Sequence, residues 1–201
     1  IDSEPIGMRG LDIYLGRYGH QVPPGFASQL IGRRSQDNAR LLIDHFGLPL
    51  DAETVIAEHR EVVFAMVVSE VEPMPGVREL LALARELGLR TAVATSSPRP
   101  YLHMILDKFG WQRDFDATVT GEEVAHGKPA PDIFLRAAEL VGAPPAACLV
   151  VEDAPHGVAA GLAAGATVLA VPNSVTRELL FPAEARKVES LHAVAAWLKG
   201  A

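Results

Sequence analysis

Apolar residues recur at three- and four-residue spacing through roughly the first 70 positions, then give way to short continuous apolar runs alternating with further helical stretches. Asp2-Ser3-Glu4-Pro5 is a capping-type start with proline just inside it, predicting a helix to Tyr18 that Gly19 stops. Pro23-Pro24-Gly25 breaks the chain before a short helical stretch ending at Gly32. Leu41, Leu42, Ile43 and Phe46 mark an amphipathic helix from Ser35, closed by Gly47 and Pro49. Asp51 caps a long helix whose apolar positions are Val55, Ile56, His59, Val62, Val63, Met66 and Val67. Four helices of this size can close as a small bundle.

Pro73-Met74-Pro75-Gly76 is the clearest boundary, because two prolines and a glycine remove helix propensity and ladder donors together. Beyond it the pattern predicts helices at 77–87, 98–109, 132–141, 155–164 and from Ser190. Strands are predicted at 91–95, 117–120, 148–151 and 167–171. Cys148-Leu149-Val150-Val151 reads as a strand buried on both faces, and the alanine-rich 157–166 stretch as a helix lying close to its neighbours. Strands alternating with helices of this length imply right-handed crossovers and a doubly wound parallel sheet, hence an α/β fold.

Composition narrows the function classes. The 201 residues are 49% hydrophobic and 21% charged, as in an ordinary globular protein. With 18 basic against 25 acidic residues the net charge is −7, and no basic stripe is visible, which argues against a nucleic-acid partner. No apolar run approaches the ~20 residues of a membrane-spanning helix. Cys148 is the single cysteine, so no intrachain disulfide can form, and a reducing, cytoplasmic setting is expected.

In doubly wound sheets, ligands bind beyond the carboxyl ends of the strands, and three polar signals fall there. Thr95-Ser96-Ser97-Pro98 follows an apolar strand: Ser97 can cap the next helix with Pro98 in its first position, and a hydroxyl beside free helix-start N–H groups also suits a phosphate oxygen. Gly127-Lys128-Pro129-Ala130-Pro131-Asp132 holds a lysine whose neighbouring prolines restrict where its ammonium points, as a fixed cation beside an anion requires. Glu152-Asp153 ends the strand at 148–151. Two carboxylates ~4 Å apart repel by ~4 kcal/mol at an effective dielectric near 20, a cost that a hard cation such as Mg²⁺ removes. Helix capping by Asp153 is the plainer use of that residue; His126 and His156 read as loop and helix-surface residues.

Asp2-Ser3-Glu4-Pro5, Thr95-Ser96-Ser97, Gly127 to Asp132 and Glu152-Asp153-Ala154-Pro155-His156-Gly157 resemble successive signatures of the haloacid dehalogenase superfamily. The resemblance is to its helical-cap branch of sugar-phosphate phosphatases, phosphoglycolate phosphatase and β-phosphoglucomutase. It covers nearly the whole chain and implies a Rossmann-like core at 1–4 and 73–201 with an inserted helical cap at 5–72. It further implies a two-step phosphoryl transfer through an aspartyl-phosphate. By that resemblance Thr95 and Ser96 bind phosphoryl oxygens, Lys128 pairs with phosphate and nucleophile, and Asp153 with Glu152 holds Mg²⁺. Arg33 and Arg34 of the cap face the substrate, a small phosphorylated metabolite. Thr95 and Lys128 are the expected catalytic residues.

Two departures follow from the same resemblance. The Asp-x-Asp-Gly motif, with its nucleophile and general acid, should lie just before Asp2, on a central strand between those ending at Thr95 and Val151. A core without that strand forgoes roughly ten ladder hydrogen bonds at ~1 kcal/mol each, comparable to a domain's whole stability of ~5–15 kcal/mol. The expectation is that the chain belongs to a longer protein and would be inactive alone. The cap histidine of the β-phosphoglucomutase pattern falls at Gly7, and its cap arginine near Ser35. Hydrolysis is therefore favoured over mutase chemistry. A catalytically inactive phosphate-binding fragment is the non-enzyme alternative, and the acidic pair argues against the metal-free dehalogenase branch.

Overall fold

A computed structural model describes residues 1–200. Its first part is a helical unit of α1 (Glu4–Gly16), α2 (Ser35–Phe46) and α3 (Ala52–Glu70). The first helix stops two residues short of the expected Tyr18. Its last N–H groups tighten to three-residue bonds, Arg17 to the Tyr14 carbonyl at 3.1 Å and Tyr18 to that of Leu15 at 3.0 Å. The expected fourth helix is a single 3₁₀ turn at Ala27–Gln29, because the span between Gly25 and Gly32 is too short for α-helical turns. The end of α2 follows expectation, with Gly47 in the left-handed region. Asp51 accepts the Thr54 N–H at 2.8 Å to start α3. Leu11, Tyr14, Leu15, Phe26, Leu42 and Val55 form the core of this unit.

The second part runs α4 (Val77–Glu86), β1 (Ala92–Thr95), α5 (Arg99–Phe109), β2 (Ala117–Thr120), α6 (Asp132–Val141), β3 (Leu149–Glu152), α7 (Pro155–Ala163), β4 (Thr167–Ala170), β5 (Arg186–Lys187) and α8 (Leu191–Lys199). Every strand pair is parallel. The two ladders are β1–β2, with Ala92 opposite Ala117, and β3–β4–β5, with Leu149 opposite Thr167 and Leu169 opposite Arg186. Alternate residues serve opposite faces. Ala92, Ala94 and Val119 pack against Ile133 and Ala137 of α6, while Val150, Val168 and Ala170 pack against Val158 of α7. On the other face Val93 joins Leu102 and Ile105 of α5, and Leu169 and Val171 join Leu80 of α4 and Val194 of α8. Helices thus cover both faces, as the doubly wound pattern requires.

Two further expectations need correcting. Strand β3 is not buried on both faces: Val150 is buried, but Val151 is 38% exposed, because it looks into a cavity that β1 also lines. Helix α5 starts at Arg99 rather than Pro98, and Ser97 is no cap. The Ser97 N–H instead donates to Thr95 Oγ1 at 3.1 Å. Strand β5 had no sequence signal; it extends the ladder because the Val188 N–H reaches the Ala170 carbonyl at 2.8 Å beside it. No helix among the described residues is long and apolar enough to cross a membrane.

Candidate active site

The carboxyl ends of β1 and β3 open into one cavity of about 580 Å³, roofed by α1–α3 and the loop at 30–33. Four expected residues from distant parts of the chain meet there: Thr95, Lys128, Glu152 and Asp153. Thr95 ends β1, and Asp153 lies one residue beyond β3. Lys128 arrives on the loop between β2 and α6, next to a cis Lys128–Pro129 peptide.

The Lys128 side chain is 6% exposed and held from three sides. It forms an ion pair with Glu152, donates to the Ala94 carbonyl at 3.2 Å, and lies 4.8 Å from the centre of the Phe134 ring. A cation this dry persists only when paired and hydrogen-bonded. Glu152 is equally constrained, since its carboxylate covers Gly157, where a Cβ would come within 2.1 Å of Glu152 Cδ. Only glycine leaves room there, which gives the Glu152 to Gly157 spacing a steric cause. Glu152 therefore faces Lys128, and Asp153 is the carboxylate left to the cavity. Helix α7 is preceded by Ala154 as its N-cap, without a side-chain cap, so Asp153 does not serve that purpose.

Asp153 is oriented by Asn173, whose Nδ2 donates to Asp153 Oδ2 at 3.0 Å. Asn173 is 3% exposed and is fixed in turn by Thr176, whose N–H and hydroxyl donate to Asn173 Oδ1 at 2.8 and 3.1 Å. Burial, then the neighbouring Glu152 charge, pushes the Asp153 carboxyl up to about 6, against the hydrogen bond from Asn173 and the charge of Lys128. Glu4, at the start of α1, also lines the cavity. Burial and then the charges of Asp153, Asp2 and Glu152 push its carboxyl up to about 7. Asp2 accepts from Ser174 through Oδ2 at 3.1 Å, while its Oδ1 is buried without a partner. The site thus carries more buried carboxylate than Lys128 alone can offset.

Surplus carboxylate and an orphaned buried oxygen suit a hard cation. No group of three or more His, Cys, Asp or Glu side chains arranged for a metal occurs among the described residues. Mg²⁺ commonly takes only one or two carboxylates and completes its octahedron with water and phosphate oxygens, so a site led by Asp153 fits that ion.

The remaining expected residues divide. Ser96 and Arg33 line the cavity, but the Ser96 hydroxyl donates to the Gly32 carbonyl at 3.0 Å. Arg34 is not on the cavity wall. It lies along Gly127, bonds Asp37 at 2.9 Å and donates to the Ala125 carbonyl at 3.1 Å. His156, read from sequence as a surface residue, has Nδ1 3.2 Å from the Ile31 carbonyl. Ser96, Arg34 and His156 together fasten the helical unit to the sheet domain.

Sequence reasoning missed Glu4, Asn38, His59 and Asn173. Glu4 looked like capping chemistry, and His59 sat within the apolar stripe of α3. A polar residue at a core position of that stripe was the available signal for His59, as was a polar Asn just past the end of β4 for Asn173.

The haloacid dehalogenase-like hydrolase family model matches residues 11–165. The chain is 31% identical over 179 residues to the bifunctional riboflavin kinase/FMN phosphatase of Arabidopsis thaliana, covering 89% of this chain and 47% of that protein, so it spans about half of that relative. It is 33% identical over 165 residues to the fructose-1-phosphate phosphatase YqaB of Escherichia coli, covering 82% of this chain and 87% of that protein. Among solved structures, CbbY from Rhodobacter sphaeroides in complex with phosphate superposes with a TM-score of 0.84 at 25% identity, over 94% of this chain and 89% of that one. The motifs, the doubly wound core, the helical roof and these relatives agree: the chain belongs to the haloacid dehalogenase-like hydrolases, on the branch that holds these phosphatases.

Proposed function

We propose that the chain forms the substrate-binding and charge-neutralising part of a Mg²⁺-dependent phosphatase acting on a small phosphorylated metabolite, a sugar phosphate first among them. The observation that carries this reading is the dry Lys128 ammonium, locked to Glu152 on the wall of a cavity shared with Thr95 and Asp153. The phosphatase names among the relatives, and the sugar-phosphate substrate in the name of YqaB, support it.

In this reading residues 5–72 act as a cap and residues 1–4 with 73–201 as the core. The nucleophile is an aspartate carried upstream of Ile1. Its carboxylate attacks phosphorus, the ester P–O bond breaks, and the departing oxygen takes a proton from the general acid of the same upstream segment; water then hydrolyses the aspartyl-phosphate. Thr95 offers its hydroxyl to a phosphoryl oxygen. Lys128, prevented by Glu152 and the Ala94 carbonyl from swinging into solvent, neutralises charge that grows on the transferring group. Asp153, aimed by Asn173, is the residue that would hold Mg²⁺ directly, with Glu152 and Asp2 contributing through water. When bound, the ion offsets the charge of phosphate and carboxylates together. Arg33 offers a guanidinium at the cavity wall. Gly7 lines the cavity with open space where a Cβ would stand, so no side chain there can serve the acid–base step of a mutase.

The test is phosphate release from p-nitrophenyl phosphate and a panel of hexose and pentose phosphates by a polypeptide extended upstream of Ile1 with the aspartate-bearing segment. Turnover that requires Mg²⁺ and releases inorganic phosphate is expected. Isomer formation without phosphate release would move the assignment to a mutase, and no Mg²⁺-dependent turnover of any ester would end the enzymatic reading.

A further inference from the structure

The roof of the cavity is largely apolar, with Leu11, Leu30, Leu42, Val55, Ile56 and Val63 on its wall. Asn38 of α2 and His59 of α3 also line it, and each has a side-chain atom shielded from solvent without any hydrogen-bond partner: Asn38 Oδ1 and His59 Nε2. A buried polar atom left unpaired costs about 1–3 kcal/mol, so two on one apolar wall call for an explanation.

Local structure fixes what each atom can offer. Asn38 Nδ2 donates to the Leu30 carbonyl at 2.9 Å, which sets the amide orientation and leaves the oxygen, an acceptor, without a partner. The His59 ring packs at a tilt against Tyr14, 5.6 Å between ring centres, and Tyr14 is fully buried at the heart of the helical unit, so the imidazole is positioned by that contact. Burial holds its basicity down to about 4, and the ring is neutral at physiological pH, with Nε2 available as one donor or one acceptor. An acceptor and a neutral imidazole lining the same cavity do not suit an anion. It suits a hydroxyl, which donates and accepts at once.

We propose that Asn38 and His59 read an alcohol group on the organic half of the phosphorylated ligand, selecting hydroxylated esters over plain alkyl esters of equal length. The proposal rests on the phosphatase reading for the other half of the ligand. Arg33 and the exposed Arg60 also line the cavity and could instead favour a second anionic group, so a bisphosphate is the decisive competitor.

Isothermal titration of the polypeptide extended upstream of Ile1, its nucleophilic aspartate changed to asparagine so that no ester is turned over, with n-alkyl phosphates of three to six carbons, their ω-hydroxy analogues and the matching α,ω-bisphosphates tests this, with inorganic phosphate reporting on the core end alone. At one chain length the hydroxyl should raise affinity about tenfold or more, and Asn38→Leu and His59→Phe should each reduce that gain below about threefold. With Asn38 and His59 both in place, the ¹⁵N resonance of His59 Nε2 should move with the hydroxyalkyl phosphate and stay with the alkyl one, which keeps the test decisive if a variant folds poorly. Equal affinity of alkyl and hydroxyalkyl phosphates at every length, with inorganic phosphate still bound, overturns the hydroxyl reading. Tighter binding of the bisphosphate at the preferred length overturns it in favour of the arginines. Failure of inorganic phosphate and all esters to bind removes the phosphate site beneath it.

Discussion

Two buried residues set the behaviour of the site through charge alone. Lys128 and Glu152 have side chains 6% and 10% exposed, and removing one strands the other in a dry environment. Lys128→Met should lower stability by roughly 3 kcal/mol in urea unfolding and reduce turnover of the extended polypeptide by at least ~10²-fold. Adding Glu152→Gln should restore much of the stability and none of the turnover. His59 makes a pH prediction. Its proton affinity is depressed by burial from the ordinary 6.5 to about 4, so the unfolded chain binds the proton more readily. Stability from this residue is complete above pH ~6.5 and is lost as pH falls towards 4, amounting to about 2 kcal/mol between pH 7 and pH 5. His59→Phe should remove that increment when urea midpoints at the two pH values are compared. The clustered site residues were legible because each lies within a few residues of a strand end or directly before a proline-rich turn. His59 and Asn173 were not, since their roles depend on partners 20 or more positions away, Tyr14 and Asp153.

At the level of elements, β4 is the best-supported strand. It pairs with β3 and β5 on its two edges and is covered by α7 on one face and by α4 and α8 on the other. Leu169, 1% exposed, sits in this sandwich, whereas Leu180 is 94% exposed in the loop before β5. Leu169→Ala should cost about 2–5 kcal/mol in urea unfolding, and Leu180→Ala should stay within about 0.5 kcal/mol. Periodicity located α2, α3, α6 and β2 to within a residue or two, because their apolar spacing and terminal Gly, Pro and Asp agree. It overextended α1, turned one 3₁₀ turn into a helix and missed β5, since Arg186 and Lys187 pair through backbone atoms that no side-chain pattern reports. The small side chains of α7 did announce its close seat on the sheet, where Val158 and Ala160 are fully buried.

Over the whole molecule, the helical unit is joined to the sheet domain by side chains of one part bonding carbonyls of the other. Ser96 reaches the Gly32 carbonyl, His156 the Ile31 carbonyl, and Arg34 the Ala125 carbonyl. Lys108 reaches the Val68 carbonyl in the same way at 2.8 Å, and Arg34→Ala removes one of the four. It should increase hydrogen exchange of amides near residues 30–36 and raise KM for phosphate esters several-fold, while the urea midpoint changes little, because the two cores of the molecule are untouched. Two of these contacts ask nothing of the side chains at 31 and 32, only that the peptide plane be presented. Arg33, next along the loop, is thereby free to be exchanged without breaking these bonds. On the proposed reading, new preferences for the ester can thus arise by variation at that position while the two parts stay joined.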